Sequence, residues 1–541
     1  MAACSEVDRG PRFVAHGDPT PHRGGTLRVA TYQNVRSLDP GIAYDEISMY
    51  AHDLLFDTLV GYEPVTPADA DRPEVGSRLQ PMLAERWTLS ADGKTYAFTL
   101  REGVRFSDGA ALVAGDFVYS LERILRLGAS PFGQFLRPIR GAVRFAAGGG
   151  EHCPGLRAVD DRHLEIELEA ADASFIFVMA MKLATPLRRA QVEAAGTAIR
   201  SRPVGPGPFV LAEWSEGERM VFVRNPLYWN PDRPYLDGIT MEELVPRDTA
   251  FLKFEAGELD LVDRPSSADF VWIAGRADWK PYVMAGAQMN VYGERMNVRR
   301  PPFDDVRVRR ALNYALDKDH TVKLTNGRAV PSHGLLPPGM FGRDDTLAPY
   351  PHDPARARAL LADAGYPDGF AIEYVTLKDE QTEKQAQSLQ SDLAEVGVRV
   401  TIRLMTFATY LSAIGRPDGP PFSFGSWLMD YPDPSNFMDT RFHSRMIALE
   451  NSNNDAFYAN PRLDELLDRA RAEVDPAARA AMYREAERIL YDDAPWIWNY
   501  HQEMIEVRQP YVMGYAPHPV WVRSFRDAWL DVGPDGERDP R

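Results

Sequence analysis

This chain has little cysteine, no long apolar run and no excess of positive charge. Only Cys4 and Cys153 occur among 541 residues, too few for a disulfide framework. No apolar run reaches the length of about 18 residues that a spanning helix needs, so no such helix is predicted. Acidic residues outnumber basic ones, 78 against 61. This charge argues against a nucleic-acid partner, because such binding needs a basic face.

Motifs of catalysis are also lacking. The chain has no G-x-S-x-G nucleophile elbow, no H-E-x-x-H zinc motif and no G-x-x-x-x-G-K-[ST] phosphate loop. Its 11 histidines show no metal-ligand spacing. We therefore expect a protein that is not an enzyme and that needs neither a metal nor another cofactor. A hydrolytic enzyme is the distant alternative.

A group of aromatic and acidic residues stands out within the segment 422–442. Its members are Trp427, Asp430, Tyr431 and Asp433. Pro432 and Pro434 bracket Asp433, and because proline donates no ladder hydrogen bond, a strand should end near Tyr431. Two interpretations stay open at this point. The segment forms a pocket for a cationic group against aromatic faces, or a proline turn whose aspartates cap local amides.

Length and hydrophobic spacing predict a multidomain α/β chain. At 541 residues the chain is too long for one core, and two to four domains are expected. From about residue 290, helices and strands alternate at greater length, and parallel strand pairing is expected there. Local signals predict strands at 26–31 and 398–402, a hairpin at Asp92-Gly93, and helices capped by Asp116, by Asp304 or Asp305, by Asp353 and by Asp475.

Several segments match the landmarks of one known family, in the family's order. They are AERW at 84–87 with SLER at 120–123, PVGPGPF at 203–209, RNP at 224–226, PFDDVRVRRAL at 302–312 and ALLADAGY at 359–366. Together they resemble the extracellular solute-binding proteins of family 5, the peptide-and-nickel group that serves ABC importers. The resemblance covers about residues 24 to 529.

The resemblance implies an α/β fold, the two-lobed periplasmic-binding-protein clamshell of the large type with an extra inserted subdomain. Transferred to this chain, it predicts a tether at 1–23 and an inserted subdomain at 63–199. Lobe I would comprise 24–62, 200–289 and 503–541, and lobe II would comprise 290–502. The change of pattern near residue 290 supports that last boundary independently.

The resemblance also implies a binding site. In the family's peptide binders, the segment W-x-x-D-Y-x-x-P faces the cleft from lobe II, and its aspartate takes the ligand's α-ammonium. Residues 427–434 match this pattern at every fixed position. Asp430 is thus the expected anchor, with Trp427, Met429 and Tyr431 beside it. Two aromatic residues complete the expected site: Phe407, which is either a cleft residue or a core residue, and Tyr44, which is expected to face the cleft from lobe I.

One departure from the family pattern leaves the ligand open. Peptide binders often place an arginine just before the tryptophan, whereas this chain has Phe424, Gly425 and Ser426 there. The ligand is then a peptide whose carboxylate stays in water or another amine-bearing solute. Alternatively it is a non-peptide: an oligosaccharide, an opine-like compound, haem or a nickel chelate.

Location and partners follow from the same resemblance. Cys4 comes after Met1, Ala2 and Ala3, a pattern similar to the end of a bacterial lipoprotein signal, or it is a cysteine that occurs by chance. The family implies a periplasmic or cell-surface protein, anchored to the membrane if Cys4 carries a lipid. The expected partners are a small-molecule or peptide ligand and the permease subunits of an ABC transporter, and the expected state is a monomer.

Overall fold

Two compact units make up the protein. The computed structural model describes residues 10–66, 69, 72, 74–128, 130–520 and 523–532. The first unit takes the chain up to Gly286 and again from Met504, and the second takes Ala287–Glu503. Each unit has apolar cores of its own, built around residues such as Phe222 and Phe254 in the first and Leu312 in the second. Cys4 lies outside the described residues.

The first unit contains the elements up to Gly286, and the last of its strands here runs one residue into the second unit. Its strands are β1 (Thr26–Ala30), β2 (Val60–Tyr62), β3 (Leu79–Pro81), β4 (Ala84–Leu89), β5 (Thr95–Leu100), β6 (Leu156–Ala158), β7 (His163–Glu167), β8 (Phe209–Ser215), β9 (Arg219–Arg224), β10 (Gly238–Glu242), β11 (Leu261–Asp263) and β12 (Val283–Ala287). Its helices are α1 (Glu46–Leu55), α2 (Ala114–Arg126), α3 (Gly133–Leu136), α4 (Ala142–Ala146), α5 (Phe175–Val178), α6 (Arg189–Ala195), α7 (Arg247–Glu255) and α8 (Ser267–Ala274).

Two sheets organise this unit. One has the order β1-β10-β9-β8, with β1 parallel to β10, and the other has the order β4-β5-β7-β6. β4 and β5 pair antiparallel around Asp92-Gly93, so the predicted hairpin is confirmed. β1 buries Leu27 and Val29 on one face, as the alternation of residues 26–31 predicts.

The start of α2 corrects one local prediction. The helix begins at Ala114, so Asp116 lies in its first turn instead of at the cap. Its carboxylate still accepts the backbone N–H of Val113, at 2.9 Å. The predicted buried face is confirmed, since Phe117, Leu121 and Ile124 are all buried.

The second unit contains longer elements. Its strands are β13 (Asn290–Met296), β14 (Ala329–Pro331), β15 (Ala371–Leu377), β16 (Arg399–Met405), β17 (Phe422–Leu428) and β18 (Trp496–Arg508), which continues into the first unit. Its helices are α9 (Val306–Ala315), α10 (Lys318–Leu324), α11 (Pro354–Asp363), α12 (Glu380–Glu395), α13 (Phe407–Ile414), α14 (Pro434–Phe442), α15 (Pro461–Ala472) and α16 (Pro476–Asp493). The returning chain adds β19 (Val512–Met513) and β20 (Trp529–Leu530) to the first unit.

The sheet of the second unit is mixed. Its order is β18-β13-β17-β15-β16, and β14 also pairs with β18. β15 runs parallel to β16 and β17, whereas β13 runs antiparallel to β17 and β18. The expectation of parallel pairing therefore holds for one side of this sheet and is wrong for the other.

Aspartate caps start several helices of this unit, as predicted. Asp305, Asp353 and Asp475 each accept a backbone N–H from the first turn of the following helix. In α11 and α16 a proline occupies the first helical position, where its missing N–H costs nothing.

Part of the expected tether contacts the first unit. The Phe13 ring meets Tyr511 edge-on at 5.8 Å, and His22 meets Trp529 at 5.0 Å. The backbone N–H of Gly17 donates to Asp531 at 2.7 Å. Within the described ranges, no helix is both long enough and apolar enough to cross a membrane.

Candidate ligand-binding site

The expected site residues follow the end of β17 in the second unit. β17 lies inside the sheet between β13 and β15, with Trp427 opposite Val291 of β13. The strand ends at Leu428, just before a turn that contains Pro432 and leads to Pro434, the first residue of α14. Because neither proline has an N–H to donate, the ladder cannot continue through this turn. Trp427 and Asp430 are therefore presented at the mouth of an interior strand.

One side chain, Asn436, joins Trp427 to Asp430. Its Nδ2 donates to Asp430 Oδ2 at 3.0 Å, and its Oδ1 accepts the backbone N–H of Asp430 at 2.8 Å. The same Oδ1 accepts Trp427 Nε1–H at 3.2 Å. Asn436 is 1 % exposed and lies in the first turn of α14. Sequence analysis missed this residue, because an asparagine near a helix start carries no signal that names its distant partners.

The electrostatic state of Asp430 is unusual for an aspartate. Burial raises the pKa of Asp430 from 3.8 to about 6, and the hydrogen bond from Asn436 opposes this rise. At neutral pH the carboxyl group is still mostly ionised, but it lies where water solvates the charge poorly. Such a carboxylate gains from an approaching cation, because the cation replaces lost hydration.

Met429 and Tyr431 are more deeply buried than Trp427 and Asp430. Met429 is 4 % exposed and Tyr431 is 9 % exposed, whereas Trp427 and Asp430 are only partly covered. The Tyr431 hydroxyl lies 3.3 Å from Ser435 Oγ. Within the second unit, Trp427 and Asp430 therefore offer more accessible surface than their two neighbours.

The two other aromatic candidates are exposed. Phe407, the first residue of α13, is 64 % exposed, so its interpretation as a core residue is wrong. Tyr44 belongs to the first unit, is 42 % exposed, and meets the Phe132 ring edge-on at 5.2 Å. The structure thus brings Trp427, at the end of β17, together with Met429, Asp430 and Tyr431 in the turn that follows, and it places Phe407 on a different element of the same unit.

Comparison with models of known protein families identifies the family of this chain. The family model described as "Bacterial extracellular solute-binding proteins, family 5 Middle" matches residues 78–447. The chain belongs to this family.

The sequences of several relatives align with nearly the whole length of this solute-binding protein. Heme-binding protein A of Haemophilus influenzae is 29% identical and covers 99% of this chain and 97% of its own. The dipeptide-binding protein of Escherichia coli K12 is 28% identical and covers 92% of both chains. The solved structure of the ABC transporter-associated periplasmic binding protein DppA from Helicobacter pylori, in complex with the peptide STSA, is similar with a TM-score of 0.75. It shares 25% identity and covers 95% of this chain and 99% of its own.

These comparisons confirm the predicted family and the predicted α/β fold of periplasmic binding proteins. The family is described as solute-binding proteins, and the relatives above are likewise named as binding proteins. Among the residues that the structure describes, no group of three or more histidine, cysteine or acidic side chains could hold a metal ion.

An ion pair behind the site was not predicted. Asp433 is fully buried, caps α14 through the N–H of Ser435 at 3.0 Å, and faces Arg479 of α16. The two arginine nitrogens donate to its two carboxylate oxygens at 2.7 and 2.8 Å. The capping role of Asp433 that the sequence suggested is present, but its partner lies 46 residues away, where local patterns give no information.

A second arginine, Arg441, packs against the indole of Trp427. The guanidinium of Arg441 lies over the Trp427 ring, 5.1 Å from its centre, and also over the Trp496 ring at 5.4 Å. Arg441 forms an ion pair with Asp455 at 2.5 Å. One face of Trp427 is therefore already covered by a cation, which leaves the rest of the ring for other contacts.

Proposed function

We propose that this solute-binding protein captures peptides or other amine-bearing solutes and delivers them to the permease of an ABC importer. Asp430 would take the ligand's ammonium group, and Trp427 would pack against the adjoining backbone. The observation that carries the proposal is the poorly solvated Asp430 carboxylate beside an indole, with both groups held by Asn436.

The chemistry of the pair supports an amine. An ammonium donates up to three hydrogen bonds and brings the opposite charge, so it compensates the desolvation that raises the pKa of Asp430. The half-buried indole adds apolar surface that does not depend on the ligand's side chains. The relatives named for dipeptides and for the bound peptide STSA support the same ligand class.

The remaining assignments belong to the same proposal. The protein acts as a monomer in the periplasm or at the cell surface, with Cys4 as the point of lipid attachment. Phe407 and Tyr44 add aromatic surface to the ligand site, and Met429 and Tyr431 line it beside Asp430. The segment 63–199, which contains the sheet β4-β5-β7-β6, is the inserted subdomain.

A non-peptide ligand is the second candidate. The relative named as Heme-binding protein A covers almost the entire chain, and the three residues directly before Trp427 include no arginine that could meet a peptide carboxylate. Haem, an oligosaccharide, an opine-like compound or a nickel chelate would then take the place of the peptide.

Calorimetry with a matched pair of peptides tests the amine. The probes are tri-alanine and N-acetyl-tri-alanine, which differ in the charge of the N-terminus. Asp430→Asn keeps the shape of the side chain and removes its charge. If the carboxylate meets a desolvated ammonium, the variant should lose on the order of 3 kcal/mol of binding free energy, about a hundredfold in affinity. The acetylated peptide should bind the wild type weakly and lose little more on the variant.

Asp304→Asn is the matched control, since Asp304 is an exposed aspartate in the same unit. It removes the same charge and should leave the affinity for tri-alanine unchanged. Equal affinity of the wild type for the free and acetylated peptides would exclude the amine anchor. The second candidate would then be tested with haem and with a nickel chelate as probes.

A further inference from the structure

The amide of Asn436 can take only one orientation in this site. Its Oδ1 faces two N–H groups, the Asp430 backbone and the Trp427 indole, and neither can accept a hydrogen bond. Its Nδ2 must therefore point to the Asp430 carboxylate, which at neutral pH can only accept. All three contacts agree with the same assignment of oxygen and nitrogen.

The backbone behind Asn436 is held firmly. Pro434 occupies the first position of α14, and the buried Asp433 caps the helix and pairs with Arg479. The indole is held from its other side by Arg441. A chain of contacts thus runs from α16 through the start of α14 to the two groups that the proposed ligand would meet.

We propose that Asn436 is a positioning residue that sets the amine preference of this site, by orienting the Asp430 carboxylate and the Trp427 indole together. This inference rests on the proposed function of Asp430. Asn436 does not touch the ligand in this scheme. It holds the Asp430 carboxylate through one oxygen and the Trp427 indole through its N–H, so that both groups meet the ammonium in fixed positions.

Three substitutions separate this role from plain structural support. Asn436→Leu keeps the approximate size and removes all three hydrogen bonds, and Asn436→Ala truncates the side chain without adding bulk. Asn436→Asp keeps the acceptor oxygen. Its carboxyl would lie so close to Asp430 that the two groups share one proton near pH 6, which restores a donor as well.

Calorimetry with tri-alanine and its N-acetyl form measures the amine preference as a ratio of two affinities. Asn436→Leu and Asn436→Ala should lower the affinity for tri-alanine by about tenfold to a hundredfold, the range for a hydrogen bond to a charged group. The affinity for the acetylated peptide should change by less than roughly threefold. Asn436→Asp at pH 6 should keep a ratio close to that of the wild type.

Carbon-13 NMR of aspartate-labelled protein gives a readout that does not need a ligand. The Asp430 carboxyl signal is assigned by its absence in Asp430→Asn. Because the bond from Asn436 lowers the pKa of Asp430, the pKa of this carboxyl should rise in Asn436→Leu and in Asn436→Ala. A residue that only supported the fold would weaken both peptides equally and leave this titration unchanged.

The outcomes distinguish this inference from the proposed function. If the wild type prefers tri-alanine but the Leu and Ala variants keep the same ratio, Asn436 is not the positioning residue. If the wild type binds both peptides equally, the amine anchor itself fails, and the inference fails with it. Circular dichroism and the melting temperature show whether each variant is folded. If the Leu variant does not fold, the affinity ratio of the Ala variant decides whether Asn436 is the positioning residue.

Discussion

At the scale of single residues, Asp430 combines a proposed role in binding with a cost in stability. Burial raises its pKa to about 6 in the folded protein, while the unfolded chain has an ordinary carboxyl group near 3.8. Between about pH 4 and pH 6 the folded state therefore holds a proton that the unfolded state has lost. Stability falls as pH rises through this window, and the loss is complete above it.

Asp430→Asn should accordingly stabilise the ligand-free protein at neutral pH. A shift of about 2 pKa units corresponds to roughly 3 kcal/mol, and partial exposure of the group reduces this to on the order of 1–2 kcal/mol. Urea unfolding at pH 7 should show the gain, and at pH 4 it should disappear. A variant that is no more stable than wild type at pH 7 would mean that the fold already compensates this charge.

At the scale of elements, the start of α14 depends on the buried pair of Asp433 and Arg479. Asp433→Asn keeps an oxygen that can cap the helix but leaves the arginine charge without its bidentate partner. Breaking such a buried pair should cost about 3–5 kcal/mol in the free energy of unfolding. Urea unfolding measures the loss.

The double variant Asp433→Asn with Arg479→Met is the control for this pair. It also removes the buried charge of the arginine, so it should recover part of the lost stability. A double variant less stable than the sum of both single losses would contradict this account of the pair.

At the scale of the whole molecule, ligand binding should raise the melting temperature by mass action. A ligand at about a hundred times its dissociation constant adds roughly 2.7 kcal/mol to the folded state. With typical unfolding entropies this predicts a rise of about 2 °C if the entire chain melts together, and about 6 °C if the second unit melts alone. Differential scanning calorimetry with tri-alanine distinguishes the two cases. No rise at saturation in either form would contradict specific binding to the folded state.

Much of the local structure could be predicted from neighbouring residues. Asp353-Pro354 and Asp475-Pro476 mark the starts of α11 and α16, because a cap and a first-turn proline act over a few residues. The family motifs led in the same way to the segment around Trp427 and Asp430. The helix start at Ala114 was missed because Asp116 carries a capping side chain at a position inside the first turn.

What the sequence determined by itself is the family, the α/β class, the starts of α11 and α16 and the segment that carries the candidate site, since each depends on residues close together in the chain. Only the tertiary structure decided the mixed direction of the sheet, the pairing of Asp433 with Arg479, and the exposure of Phe407. It also decided that Asn436 joins the carboxylate to the indole. These features depend on which distant strands and helices meet, and on how each turn directs its side chains, so the free energy that selects them comes from packing and burial and leaves no local pattern.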